Sequence, residues 1–196
     1  MNEAPTEKHP LEPFLPEGAR LLMLGSFPPK RERWSMEFFY PNFNNDMWRI
    51  FGLVFFGDKS HFIAPDGKHF DREAVEGFCS GKKIALYDTA AEVKRLKDNA
   101  SDKFLEIVSA TDIPGLLRQI PECRAIVTTG QKAAETAAGA LGCALPSPGE
   151  YVTARPGGGE TVYRLWRMPS SSRAYPLALE KKAEHYRRML CLEGIL

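Results

Sequence analysis

The chain has 196 residues, 43% hydrophobic and 26% charged, with 26 Lys and Arg against 25 Asp and Glu. That length and balance describe one globular domain with a sizeable core, and exclude both a disordered chain and one that is basic throughout. The four cysteines, Cys79, Cys123, Cys143 and Cys191, are scattered without a CxxC pair. This spacing fits neither a zinc site nor a disulfide scaffold, and predicts free thiols buried in a reducing compartment. No apolar run approaches a membrane span, and the opening stretch "MNEAPTEKHPLEPFLPEGAR" has no apolar signal core. A cytoplasmic protein is expected, with residues 1–18 forming an irregular arm over a domain of residues 19–196.

In chain order, four short apolar runs read as strands: Ala19–Phe27 ("ARLLMLGSF"), Lys82–Asp88 ("KKIALYD"), Cys123–Gly130 ("CRAIVTTG") and Val162–Met168 ("VYRLWRM"). The first three are continuously apolar, as strands covered on both faces are; the fourth alternates and is expected nearer an edge. Helical patterns lie between them. "NNDMWRIFGLVF" opens on an asparagine suited to capping, a second helix runs from Asp71 to Gly81, "IPGLLRQI" is short, and Gly130 to Gly142 is alanine-rich. The last, in "SRAYPLALEKKAEHYRRML", puts Leu179, Ala183, Tyr186 and Leu190 on one face. Leu145–Glu160 reads as a turn-rich loop. Strands alternating with helices predict an α/β fold, a single-domain three-layer sandwich around a four-stranded parallel sheet.

In such sheets ligands bind outside the carboxyl ends of the strands. That rule selects Gly25–Asn45, Asp88–Lys103, Gly130–Lys132 and Met168–Tyr175. The first segment carries "YPNFNNDMW", amides crowded among aromatics. The last carries "MPSSSRAYP", three serines and Arg173 ahead of the final helix, which suits either a phosphate cradle or simple capping. From Arg164 to Arg188 seven Lys or Arg stand against Glu180 and Glu184, a local positive excess that the whole-chain balance hides.

"GSFPP" after the first strand, then "YPNFNNDMW", then "MPSSSR" after the fourth form an ordered set that resembles the motifs of the uracil-DNA glycosylase superfamily. There, a G-x-x-P-G motif follows the first strand, an aromatic and asparagine-bearing stretch comes next, and a Pro-Ser loop near the end pushes into DNA. The first motif is most similar to that of the hypoxanthine-DNA glycosylase branch, and "MPSSSR" to the last loop of mismatch-specific thymine glycosylases. "IALYDTAAEVKRLKDNASD" and "IPGLLRQIPECRAIVTTGQKAAE" also resemble the hypoxanthine branch, so the likeness spans about Arg20 to Leu190. Phe27 stands where many relatives have an amide, Pro29 replaces a glycine, and Met168 replaces a histidine.

The resemblance implies a uracil-DNA glycosylase-like fold and a monofunctional glycosylase that hydrolyses the N-glycosidic bond of a flipped damaged or mismatched base, such as uracil or hypoxanthine. The partner is damaged or mismatched DNA, and the chemistry needs no cofactor and no metal. A monomer is expected. In the similar branch an asparagine of the second stretch serves catalysis; the motif match makes it Asn45, with Asn44 one position away as the other candidate. Asp46 is a candidate general base, or else a helix cap. Asp88, at the end of a strand, is a candidate to orient water or a pocket amide, or else satisfies the backbone of its own turn. The base pocket would comprise Gly25, Ser26, Phe27, Phe38, Phe39, Tyr40 and Asn44. An aromatic, Phe38 or Phe39, supplies a face for stacking, and amides read the polar edge of the base. Ser170, Ser171 and Ser172 would grip DNA, with Arg173 as the wedge filling the vacated stack and Tyr175 as the alternative plug. Lys30, Arg31, Arg33, Lys94 and Arg95 are further candidates for contacts to the DNA backbone. None of the four histidines is given a role. Two other readings stand beside this one: a catalytically weak or inactive member that binds DNA or nucleotides, and a small-molecule enzyme on the same scaffold.

Overall fold

The computed structural model describes residues 4–96 and 104–196. Its larger sheet holds the four expected strands, β2 (Leu21–Gly25), β3 (Ile84–Asp88), β6 (Ala125–Thr129) and β8 (Tyr163–Met168), all parallel in the order β3-β2-β6-β8. It is not a four-stranded parallel sheet, however. A fifth strand, β7 (Tyr151–Ala154), adds antiparallel to β8, so the sheet is mixed and β8 lies one strand in from the edge. β7 falls in the stretch expected to be a loop: its four residues are flanked by Pro148–Gly149 and Pro156–Gly159, whose turn signals mask it.

Alternate residues of the strands feed two cores. Leu21, Met23, Ile84, Leu86 and Val127 face α1 (Met47–Phe56), α2 (Arg72–Gly81) and α5 (Leu179–Leu192), with Trp48, Phe51 and Tyr186 fully buried among them. Leu22, Leu24, Ala85 and Ile126 face the other way, onto α3 (Ile113–Gln119) and α4 (Gln131–Leu141). This period-two division makes three layers. Helix starts follow local chemistry: Asp71 Oδ1 accepts from Ala74 N, and Asn45 Oδ1 accepts from Met47 N at 2.9 Å.

A second sheet, absent from the expectation, is antiparallel in the order β1-β4-β5, made of β1 (Thr6–Lys8), β4 (Ala90–Arg95) and β5 (Leu105–Ala110). β4 occupies most of the segment expected as the loop Asp88–Lys103; residues 97–103 of that segment lie outside the described residues. The second sheet packs Ala90, Val93 and Leu105 against Phe27. Residues 4–18 run along this side: β1 pairs with β4, Phe14 exchanges two backbone bonds with Leu86, and the Arg95 guanidinium forks onto Glu7 at 3.0–3.2 Å.

Cys79 and Cys123 are buried, but Cys143 is half-buried and Cys191 exposed, so only two of the four thiols are interior. Burial pushes the Cys123 thiol up to about 12 and that of Cys79 higher still, which leaves both inert at neutral pH. Among the described residues no helix is long and apolar enough to cross a membrane.

Candidate functional site

A cleft of about 600 Å³ opens at the carboxyl ends of β2, β3, β6 and β8, within the usual size range of small-molecule sites. Its first wall is the loop after β2: Gly25, Ser26 and Phe27 line it, followed by Pro28 and Pro29. That loop is fastened from outside, with Arg95 Nη2 donating to Pro28 O and Trp34 Nε1 to Pro29 O. Gly25 is required by close approach. A Cβ there would stand 2.3 Å from Asp88 Oδ1, so the bare glycine leaves the space that the carboxylate fills. Gly25→Ala is therefore expected to displace the Asp88 side chain, which a shift of the Asp88 carboxyl signal in NMR spectra of the variant would check.

The second wall is the amide-rich loop, and Phe39, Tyr40, Asn44 and Asn45 line the cleft from it. Its shape is set from behind by α1. Trp48 Nε1 donates to Phe39 O at 3.1 Å, and Arg49 Nη1 donates to both Phe43 O and Asn45 O while its guanidinium stacks over the Phe43 and Phe70 rings. Burial, reinforced by the nearby Arg173 and opposed by Asp46, lowers the Arg49 pKa from its ordinary value. Tyr40 takes a left-handed backbone, φ 50°, which is unfavourable for an aromatic residue; its hydroxyl pairs with Thr129 Oγ1 across the cleft at 3.2 Å. Asn45 Oδ1 is occupied by Met47 N–H, which assigns the other end of the amide as NH2, a donor without a partner among the described residues. Phe38 is not part of the lining: it is 5% exposed and packs edge-on against Phe14 and Phe39. Of the two stacking candidates, only Phe39 faces the cleft.

The third wall is the serine loop, from which Ser170, Ser171, Ser172 and Tyr175 line the cleft. Neither reading of this segment as a helix start holds. α5 begins at Leu179 with Ala178 as its N-cap, beyond Pro176, so the serines neither cap it nor form a cradle at its N-terminus, and Arg173 does not lie in its dipole. Instead the serines fold on themselves: Ser170 Oγ accepts from Ser172 N, and Ser172 Oγ from Ala174 N. The loop is stitched to the amide segment. Asp46 N donates to Ser171 O at 2.8 Å, and Asn45 and Ser172 form a bridge. Lys182, 1% exposed, donates to both Asp46 Oδ2 at 3.0 Å and Ser172 O at 2.8 Å. Arg173 reaches Asp46 Oδ1 at 3.5 Å and Asn44 Oδ1 at 3.3 Å.

Asp46 therefore has both carboxylate oxygens engaged by cations and does not line the cleft, an arrangement that suits a clamp and not a proton acceptor. Asp88 is different. It lines the cleft at 7% exposure, and among the described residues only its Oδ2 is taken, by His9 Nε2 at 2.8 Å. Sequence reasoning missed both Lys182 and His9. Lys182 had a readable signal, a lysine set on the apolar face of α5. His9 had none, since its partner is 79 residues away. The local excess of positive charge in residues 164–188 does not form one basic face: Arg164 binds Glu193, Lys181 binds Glu184, and Arg188 binds Glu150. Beside the amide loop lies a smaller groove of about 360 Å³ that includes Arg33, Trp34, Lys68 and His69.

No family model and no curated protein matches the chain. A solved structure does: the solution NMR structure of a protein from Methanosarcina acetivorans described as a "putative Uracil DNA glycosylase", with a TM-score of 0.58 and 23% identity over 91% of this chain and 95% of that one. At that identity the likeness is one of fold, and the chain shares the α/β fold of that structure.

Proposed function

We propose that the protein is a monofunctional DNA glycosylase, which hydrolyses the N-glycosidic bond of a nucleotide turned out of DNA, with uracil or hypoxanthine as the excised base. The observation that carries this reading is the convergence, in one cleft, of the asparagine loop and the serine loop, with Phe39 for stacking and Asn45 and Asp88 as polar groups at the strand ends. The physical fit is direct. A flipped base needs an aromatic face and amide donors on its edge, and the departing base gathers negative charge that preorganised N–H donors stabilise. Asn45 offers its NH2 group for that task, and Asp88 offers a carboxylate oxygen to orient the attacking water. A lyase step would need an amine nucleophile. Among the described residues no lysine lines the cleft, and the Lys182 ammonium is held between Asp46 and Ser172.

Labelled duplexes carrying uracil or hypoxanthine, incubated with the protein and then treated with alkali, test the reading. Alkali-dependent strand breaks at the modified position are expected. Binding without breaks would favour a DNA-binding member without turnover, and no binding at any salt concentration would overturn the DNA reading altogether. On this reading Arg173 would release Asn44 and Asp46 and enter the duplex. Arg173→Ala is expected to lower excision about tenfold against less than about twofold for Lys94→Ala, because a wedge acts on flipping and a backbone contact only on affinity. Equal effects in the same assay would remove the wedge.

A further inference from the structure

We infer that His9 is a positioning residue for Asp88, so that the N-terminal arm completes the site; this rests on the glycosylase reading of the cleft. The His9 side chain is 2% exposed, although its neighbours in sequence, Glu7, Lys8, Pro10 and Glu12, are of the kinds usually found at the surface. Its imidazole is held on three sides by Phe27, Phe39 and Tyr87, with ring centroids at 5.3, 6.3 and 4.5 Å. Two of those aromatics, Phe27 and Phe39, line the cleft. The backbone fixes it as well, through His9 N–H donating to Ala91 O at 2.8 Å.

The ring nitrogens carry the argument. Nδ1 lies 3.2 Å from Leu11 N and 2.9 Å from Leu11 O. When bare it accepts from the first, and when protonated it donates to the second. A carboxylate only accepts, so the 2.8 Å contact to Asp88 Oδ2 places the proton on Nε2; in the neutral ring Nδ1 is then bare and accepts from Leu11 N–H, and only in the doubly protonated ring do both nitrogens donate. The carboxylate is thus held at one oxygen by His9, while the space left by Gly25 admits the other, Oδ1, which accepts no hydrogen bond among the described residues. A carboxylate rotor fixed at one end presents its second oxygen to the cleft in a single orientation, which is what placing a water or a base edge requires.

Two measurements test this. The first needs no turnover: in ¹⁵N-resolved spectra of the protein, the His9 imidazole should show a protonated Nε2 whose signal moves when free uracil or hypoxanthine is added, and the movement should be absent in Asp88→Ala. A base that shifts Asp88 and Phe39 signals but leaves the His9 ring unmoved would overturn the inference. The second uses excision. His9→Ala should lower the single-turnover rate on the order of 10- to 100-fold with DNA affinity unchanged, and His9→Gln, whose amide can still donate, should restore most of it. In an Asp88→Asn background His9→Ala should cost nothing further, because the two act as one unit. Additive losses, or equal losses of rate and affinity, would reduce His9 to a packing residue. If the unaltered protein excises neither base, the glycosylase reading fails, while base-free spectra still decide the contact: the His9 Nε2–H signal should move in Asp88→Ala, and an unmoved signal would overturn the inference.

Discussion

Asn45→Asp is expected to lower the single-turnover rate of base excision by about 10²–10³-fold, the usual cost of losing a donor aimed at developing charge. The substitution is chosen because it spares the fold. Asn45 Oδ1 accepts from Met47 N–H at the start of α1, and an aspartate keeps that acceptor at a helix N-terminus, where negative charge is favoured. What disappears is the NH2 group, and a negative charge arrives where the departing base carries its own. Asn45→Ala would remove cap and donor together, at about 1 kcal/mol of stability, and would mix the two effects. Rapid-quench excision rates alongside thermal unfolding check the outcome. An Asn45→Asp protein that excises at the original rate would transfer the role to Asn44.

The largest effect on stability is expected at the clamp behind the site. Asp46→Ala leaves the Lys182 ammonium, 1% exposed, without its counter-ion, and breaking a buried pair in this way costs about 3–5 kcal/mol. The reverse substitution, Lys182→Ala, leaves Asp46 with Arg173 alone and also frees Ser172 O, so the serine loop should loosen as well. Removing both charges with apolar residues of similar volume, Asp46→Leu with Lys182→Met, is expected to recover most of the stability, because it is the unpaired charge that is costly. Denaturant unfolding of the three variants measures this. A loss below about 1 kcal/mol in Asp46→Ala would mean that Lys182 finds another partner.

Much of the frame was legible because its signals are local. The runs at Leu21–Gly25, Ile84–Asp88 and Ala125–Thr129 are apolar throughout, and the helices at Arg72–Gly81 and Gln131–Leu141 are bounded by Asp71 and Gly142. The small sheet was not legible. Ala90–Arg95 shows only Ala90 and Val93 as buried points, and one of its two partner strands, β1, is remote in sequence, with Thr6 opposite Lys94. The same contrast holds at the site. The asparagines and serines stand at strand ends, where topology alone draws attention to them. The groups that hold them, Lys182 on Asp46 and His9 on Asp88, act across 136 and 79 residues, a distance over which spacing carries no information. The serine loop misled for a physical reason: Ser170 and Ser172 turn back on the next backbone N–H groups, and Pro176 delays the helix to Leu179.

Photo-crosslinking tests most directly whether the asparagine and serine loops enclose a flipped base. A duplex carrying 5-iodouracil at the target position is irradiated with the protein, and the attachment site is read by mass spectrometry. Attachment at Phe39 or Tyr40 is predicted, and it should be lost when Tyr175 and Arg173 are both replaced by alanine. Attachment confined to the groove of Trp34 and His69, with none in the cleft, would contradict it.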